Sequence, residues 1–304
     1  MSNLRCVTML AFRFKAVLQT INLSYLLLTI VCIFLGFSAV IANHGDVNGY
    51  LLIAACIAAF VGHFSLCTFH EYSDLKHTWA FKINRDKHVG HPRGRDQVNA
   101  AFFAGLVALI VSLLCGLFLV VKFGLGILPV GVTGLMILLS YCSIIKKHPI
   151  YSLLAPGFGF ALLIALGTEY VLVGQYTQLV WVIAIIPFFL VNNLWLLNNY
   201  GDIKASAKDN DSEDFPMAYG IKVSNYVYAV FATLATLIII AYVVIGYLPV
   251  LSLIALIPMP LAFYALYGGI KFGQNITQQP KFLRSNLIAT VATPALLGLT
   301  LILD

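Results

Sequence analysis

The sequence predicts an all-α, polytopic membrane protein with nine transmembrane helices and a cytoplasmic N-terminus. Three observations carry this prediction. Of 304 residues, 61% are hydrophobic and 10% charged, with a mean hydropathy of +0.93. A soluble domain needs about a quarter charged residues, and this chain cannot supply them. Apolar runs of roughly 20 residues, enough to cross the hydrocarbon core, recur nine times. When nine spans are threaded, all but one of the 18 Lys and Arg residues fall on one side.

The spans are expected near 17–42, 49–69, 99–121, 125–145, 151–173, 178–198, 224–246, 248–270 and 285–303. A basic tail (Arg5, Arg13, Lys15) precedes the first, with no small-residue cleavage site, so it reads as a cytosolic tail and not a removable signal. Span two holds a lone His63, read as a hydrogen-bonded helix contact. A basic loop follows over about 70–98, with Lys76, Lys82, Arg85, Lys87, Arg93 and Arg95. Spans three and four flank Lys122, the one cation on the opposite side, and Lys146 and Lys147 follow span four. Glu169, near the outer end of span five, reads as interfacial.

Span six leads into a second polar loop, about 199–223, carrying Lys204, Lys208 and Lys222; Lys271, Lys281 and Arg284 lie between spans eight and nine. Pro258 and Pro260 predict a kink in span eight. The positive-inside rule then places both long loops in the cytoplasm and the C-terminus outside. Those loops follow spans two and six, an offset compatible with a parallel internal repeat. Trp79, Trp181 and Trp195 fit an aromatic belt, and Trp195 is also placed to line a cavity. The six cysteines form no C-x-x-C pair and lie mostly in apolar runs, so neither disulfides nor zinc are expected. The net charge of +6 is spent on orientation, which argues against a nucleic-acid partner.

Candidate chemistry lies in the two polar stretches. The first reads HEYSDLKHT over 70–78, and the second NNYGDIKAS over 198–206, downstream of Asn192 and Asn193. Both share a frame of a polar residue, three residues, Asp, one residue and Lys. The pairs His70/Asp74 and Asn198/Asp202 are spaced i,i+4 and so share a helix face, with Glu71 close to that of Asp74. Ionisable residues at a membrane boundary point to function, although polar helix ends also occur as plain caps. Oxygen ligands in small number suit Mg²⁺, which is commonly shared between one or two carboxylates and substrate phosphates. Two facing ends of this kind would hold a diphosphate, with Lys76, Lys204 or Lys146 as point charges on its oxygens. Metal neutralisation of a leaving diphosphate is Lewis-acid catalysis, and the 21 Phe and 15 Tyr offer ring faces to a carbocation.

The second stretch, LWLLNNYGDIKASAKDNDSEDFPMAYG, resembles the second aspartate-rich motif of the UbiA superfamily of intramembrane prenyltransferases, closest to its 1,4-dihydroxy-2-naphthoate polyprenyltransferase branch. Leu196, Leu197, Asn198, Asp202, Ala205, Pro216 and Gly220 match that motif. Glu71, Tyr72, Asp74 and Lys76 match the first motif, and GTEYVLVGQYT over 167–177 is similar to a further segment of the branch. The resemblance implies one domain over 1–304, a helical bundle around a central cavity open to lipid, and a bacterial inner-membrane location with the motif loops cytoplasmic. It implies Mg²⁺-assisted transfer of a polyprenyl group from its diphosphate to an aromatic, quinone-precursor-like acceptor. Asp74 and Asp202 would be catalytic. Glu71, Asp74, Asn198 and Asp202 would hold the metal, and Lys76, Lys146, Lys204 and His70 the diphosphate. Tyr141 and Lys146 stand where the family has a Tyr–Lys pair.

The motifs also depart from the family pattern. His70 replaces Asn, Thr78 and Ala80 occupy the places of a G-x-D, and Ser206 replaces the later Asp; His91–Gly94 and Asp209–Asn210 also differ. Each motif lacks its distal carboxylate. Asp209 or Asp86 could substitute, or one metal could suffice with His70 beside it. The alternative is a non-catalytic UbiA-like protein that binds isoprenoid or quinone. A solute transporter would instead show broken helices and midplane charges.

Overall fold

The computed structural model describes residues 23–85, 92–140, 144–201, 203 and 214–304, and every regular element among them is helical. In chain order these are α1 (Leu23–His44), α2 (Gly49–Arg85), α3 (Pro92–Phe123), α4 (Leu128–Ser140), α5 (Pro149–Gly157), α6 (Leu163–Val173), α7 (Gln178–Asn198), α8 (Phe215–Val244), α9 (Met259–Phe272) and α10 (Pro280–Leu303). Among the described residues, eight segments are long and apolar enough to cross a membrane, with Leu125–Ser140 a shorter apolar helix in the place of span four.

Proline positions explain most of the breaks. Pro149, Pro216, Pro260 and Pro280 stand in the first turns of α5, α8, α9 and α10, where the missing N–H costs nothing. The kink expected in span eight is present: a 3₁₀ stretch, Val250–Leu256, gives way at Pro258 to α9. In span five, Pro156 interrupts the ladder and a π turn, Phe158–Leu162, joins α5 to α6. Gly220 (φ 78°, ψ 166°) breaks the first turn of α8 from the rest of that helix, a conformation open to glycine and strained for other residues.

The two expected polar loops are more helical than the sequence reading allowed. The first motif does not leave the membrane as a loop, because α2 runs without interruption to Arg85. Residues 70–85 contain neither Gly nor Pro, so nothing stops the helix where hydropathy falls. The second loop is shortened at its far end, where α8 begins at Phe215.

α7 is the axis of the bundle. Two thirds of its apolar window is buried, more than in any other span, and it packs against α1, α5, α8 and α10. α10 returns to lie along α1, which closes the bundle. The main core joins Leu35 of α1, Ile183 and Leu190 of α7, Tyr228 and Ile239 of α8 and Leu297 of α10. α2 and α3 form a long pair at the flank.

Candidate active site

The helix carrying the second motif is held by amides. Asn192 and Asn193 are fully buried, so the sequence's grouping of them with the polar boundary is corrected: they bind helices together inside the bundle. Next to Pro156, the Gly157 N–H donates to Asn192 Oδ1 at 2.7 Å. A Cβ at Gly157 would stand 2.5 Å from the Phe188 carbonyl oxygen, so α5 and α7 touch backbone to backbone there. Asn193 Nδ2 donates to the Tyr228 carbonyl (3.0 Å). The Tyr228 hydroxyl reaches Asn286 Oδ1 (2.7 Å) and the Ala262 carbonyl (3.1 Å), and Asn286 Nδ2 donates to the Asn193 carbonyl (3.2 Å). This circuit fastens α7 to α8, α9 and α10.

Asn198 ends α7, half-buried, and a 3₁₀ turn, Asn199–Gly201, follows. Tyr200 within it is fully buried and donates to Asn225 Oδ1 at 2.9 Å. A Cβ at Gly201 would meet Thr277 Cγ2 at 2.5 Å, so the turn is pressed against the Gly273–Gln278 segment. The chain is thus fixed immediately before Asp202, which lies with Lys204 outside the described residues. At the far end of the loop, Asp214 Oδ1 accepts a bond from Ser152 of α5 at 2.6 Å, anchoring it beside the turn that carries Lys146. This contact is absent from the sequence reading, although an Asp just before Phe215–Pro216 marks a helix start.

His70, Glu71, Asp74 and Lys76 all lie on α2, where Glu71 and Asp74 are one turn apart on adjoining positions. Lys146 lies in the 3₁₀ turn Ile145–Lys147; Tyr141 lies outside the described residues. The side chains of these five residues lie outside the described part of the structure. What brings the three segments together is a small apolar cluster: Ile145 and Ala155 are buried, with Leu66, Ile137 and Trp195 packed on them. Leu66 lies one turn before His70, Ile145 adjoins Lys146, and Trp195 lies three residues before Asn198. A second cluster joins Leu66 to Val191 and Leu194 of α7. The first motif, the Lys146 turn and the second motif therefore start from a common floor. Among the described residues no group of three or more His, Cys, Asp or Glu side chains comes together.

Above that floor lies a cavity of about 470 Å³ between α2, α3, α4 and the π turn with α6. It runs from Ala55 to Leu66 along α2, about 16 Å of helix, and its walls are aliphatic and glycine-rich, with Phe160 the aromatic among them. The aromatic wall expected for a carbocation is not a feature of this chamber. His63 lines it and meets Thr29 of α1, with 2.7 Å between Nδ1 and Oγ1.

The end of α6 remote from the two motifs is structural. Glu169 is fully buried, correcting its reading as interfacial. Its carboxylate accepts from the Thr177 N–H (2.9 Å) and hydroxyl (2.5 Å), closing the α6–α7 turn. Trp181 is half exposed, as a belt residue would be, and Trp195 packs inward.

The sequence matches the UbiA prenyltransferase family over residues 9–288. No curated protein matches it. Among solved structures, the fold is similar to a digeranylgeranylglyceryl phosphate synthase (TM-score 0.58, 17% identity, 90% of this chain and 98% of that one). It is also similar to a UbiA homologue from Archaeoglobus fulgidus bound to GPP and Mg²⁺ (TM-score 0.57, 15% identity, 92% and 100%). The same archaeal homologue bound to DMAPP and Mg²⁺ gives 0.54 and 15% identity, over 90% and 99% of the two chains.

Proposed function

The chain belongs to the UbiA prenyltransferase family, and from that premise we propose that it transfers a polyprenyl group from its diphosphate to an aromatic, quinone-precursor-like acceptor inside the membrane. The observation that carries this reading is the shared floor of Leu66, Ile145 and Trp195, from which both motifs and the Lys146 turn emerge beside an apolar chamber. Solved relatives of the same fold bind GPP or DMAPP with Mg²⁺.

The donor set fits such an ion: Glu71, Asp74 and Asp202 offer carboxylates and Asn198 an amide oxygen, all hard ligands. When bound, Mg²⁺ would supply Lewis-acid neutralisation of the diphosphate. Lys76, Lys146, Lys204 and His70 would bind the diphosphate oxygens and stabilise the charge that grows as the allylic C–O bond breaks. The bonding pair leaves with the diphosphate, and the chain's apolar walls keep water from the carbocation. The aromatic ring attacks the cationic carbon, forming the new C–C bond, and the ring proton passes to the released diphosphate, restoring aromaticity. The basic bias of the motif side supports a cytoplasmic site in the cell membrane.

The missing distal acids at Thr78, Ala80 and Ser206 favour a second reading, a family member that binds isoprenoid or quinone without turnover. Purified protein should convert a prenyl diphosphate and an aromatic acceptor into a prenylated product, detected by mass spectrometry. No product across a panel of chain lengths and acceptors, with lipid binding that survives Asp74→Ala and Asp202→Ala, would select the second reading instead.

A further inference from the structure

The chamber beside α2 is lined by apolar groups apart from His63, Ser112 and Thr168, and the Thr168 hydroxyl is already donated to the Ile164 carbonyl. His63 is 5% exposed, its Nδ1 is taken by Thr29, and its Nε2 has no hydrogen-bond partner. At the neighbouring position on α2, a Cβ on Gly62 would lie 3.7 Å from Ser112 Oγ, and Ser112 lines the same chamber as His63. Phe160 packs on the imidazole with ring centroids 5.0 Å apart, and it offers no conventional donor or acceptor. A buried imidazole nitrogen left unpaired is costly, and a hydrocarbon occupant would leave that cost in place.

We infer that His63, with Ser112 of the same chamber, is a polar subsite that binds the neutral hydroxyl or carbonyl oxygen of a hydrocarbon-bodied ligand lying in this chamber. Neutral imidazole donates from Nε2 in one tautomer and accepts there in the other, so both oxygen functions fit. A charged group does not, because no lining residue carries a compensating charge. The subsite lies seven residues before His70, about 10 Å along α2, so it grips a part of the ligand remote from the diphosphate motifs. The inference rests on the chamber being a site for lipid-like ligands, and not on turnover. Two sources share this chemistry: an oxygenated isoprenoid chain and a hydroxylated aromatic acceptor.

The test is equilibrium binding to the full-length protein in nanodiscs, using farnesol against farnesene and 2-naphthol against naphthalene. At least one oxygenated probe should bind about two- to tenfold more tightly, relative to its hydrocarbon partner, than lipid partitioning alone accounts for. The farnesol pair reports a chain site and the naphthol pair an acceptor site. His63→Leu should abolish the preference and Ser112→Ala reduce it, while His63→Gln, which keeps a polar group, should retain part of it. Thr29→Val, which removes the α1–α2 bond and leaves Nε2 in place, should keep the preference. Equal affinity within both pairs in the wild type would overturn the inference, as would an unchanged preference in His63→Leu. If His63→Leu does not fold, an unchanged preference in Ser112→Ala together with loss in Thr29→Val overturns it. Oxygen preference without prenyl transfer would refute the proposed reaction alone.

Discussion

Gly157→Ala should loosen the helix that carries the second motif, and the structure supplies its own control two residues away. A Cβ at position 157 would stand 2.5 Å from the Phe188 carbonyl oxygen and 2.6 Å from both amide atoms of Asn192. These contacts include backbone and cannot be relieved by turning one flexible side chain. α5 must retreat from α7, and the 2.7 Å bond from the Gly157 N–H to Asn192 Oδ1 lengthens or breaks. Overpacking costs about 1–3 kcal/mol and a lost buried hydrogen bond about 1 kcal/mol more. A loss of about 2–4 kcal/mol is therefore expected. At Gly159 the nearest atom to a new Cβ is Ile137 Cγ2 at 3.9 Å, an ordinary contact, so Gly159→Ala should change stability by no more than about 1 kcal/mol. Thermal unfolding of both variants in the same detergent, read by tryptophan fluorescence, compares them directly. Equal melting temperatures for the two variants would refute the reasoning, because they would mean that α5 and α7 are free to separate.

Three further outcomes follow from the same geometry. Tyr228→Phe removes a fully buried hydroxyl from Asn286 Oδ1 and should cost about 1–2 kcal/mol. Tyr226→Phe, at a 72% exposed position, should melt with the wild type; equal stability of the two variants would show that the circuit contributes nothing. Glu169→Ala strips the cap from the Thr177 N–H and hydroxyl and should destabilise by about 1–2 kcal/mol while leaving prenyl diphosphate binding intact, as calorimetry on the folded variant would check. Chelation of divalent cations should abolish diphosphate release and excess Mg²⁺ restore it; release that persists under chelation would contradict the oxygen-donor reading of Glu71, Asp74, Asn198 and Asp202.

The positions of the spans were legible because hydrocarbon length and proline position are one-dimensional signals. Span six ends at Asn198 in the sequence and α7 ends at Asn198 in the structure. The kink at Pro258 was readable for the same reason. The first polar stretch was misjudged as a loop because falling hydropathy records the exit from the hydrocarbon, not the end of a helix; α2 continues to Arg85. The uses of buried polar groups were less legible. Asn192 and Asn193 look like boundary residues until Gly157 and Tyr228 are seen against them, since an amide's partner 35 residues away leaves no local mark. The π turn at Phe158–Leu162 and the Ser152–Asp214 bond depend in the same way on packing between distant segments. His63 was read as a helix contact, and its bond to Thr29 agrees; its unpartnered Nε2 became visible only with the chamber around it.

The proposed reaction requires that the first motif, on α2, and the second, following α7, compose one site for a prenyl diphosphate. It is tested most directly by a double-mutant cycle of Asp74→Ala and Asp202→Ala on Mg²⁺-dependent diphosphate release by the purified protein. Residues acting as a unit in one transition state are strongly non-additive. Each single substitution should lower the rate by about a hundredfold or more, and the double variant should be scarcely slower than either one. Effects that multiply would mean that the two motifs act independently, and unimpaired release in either single variant would remove that motif from the site.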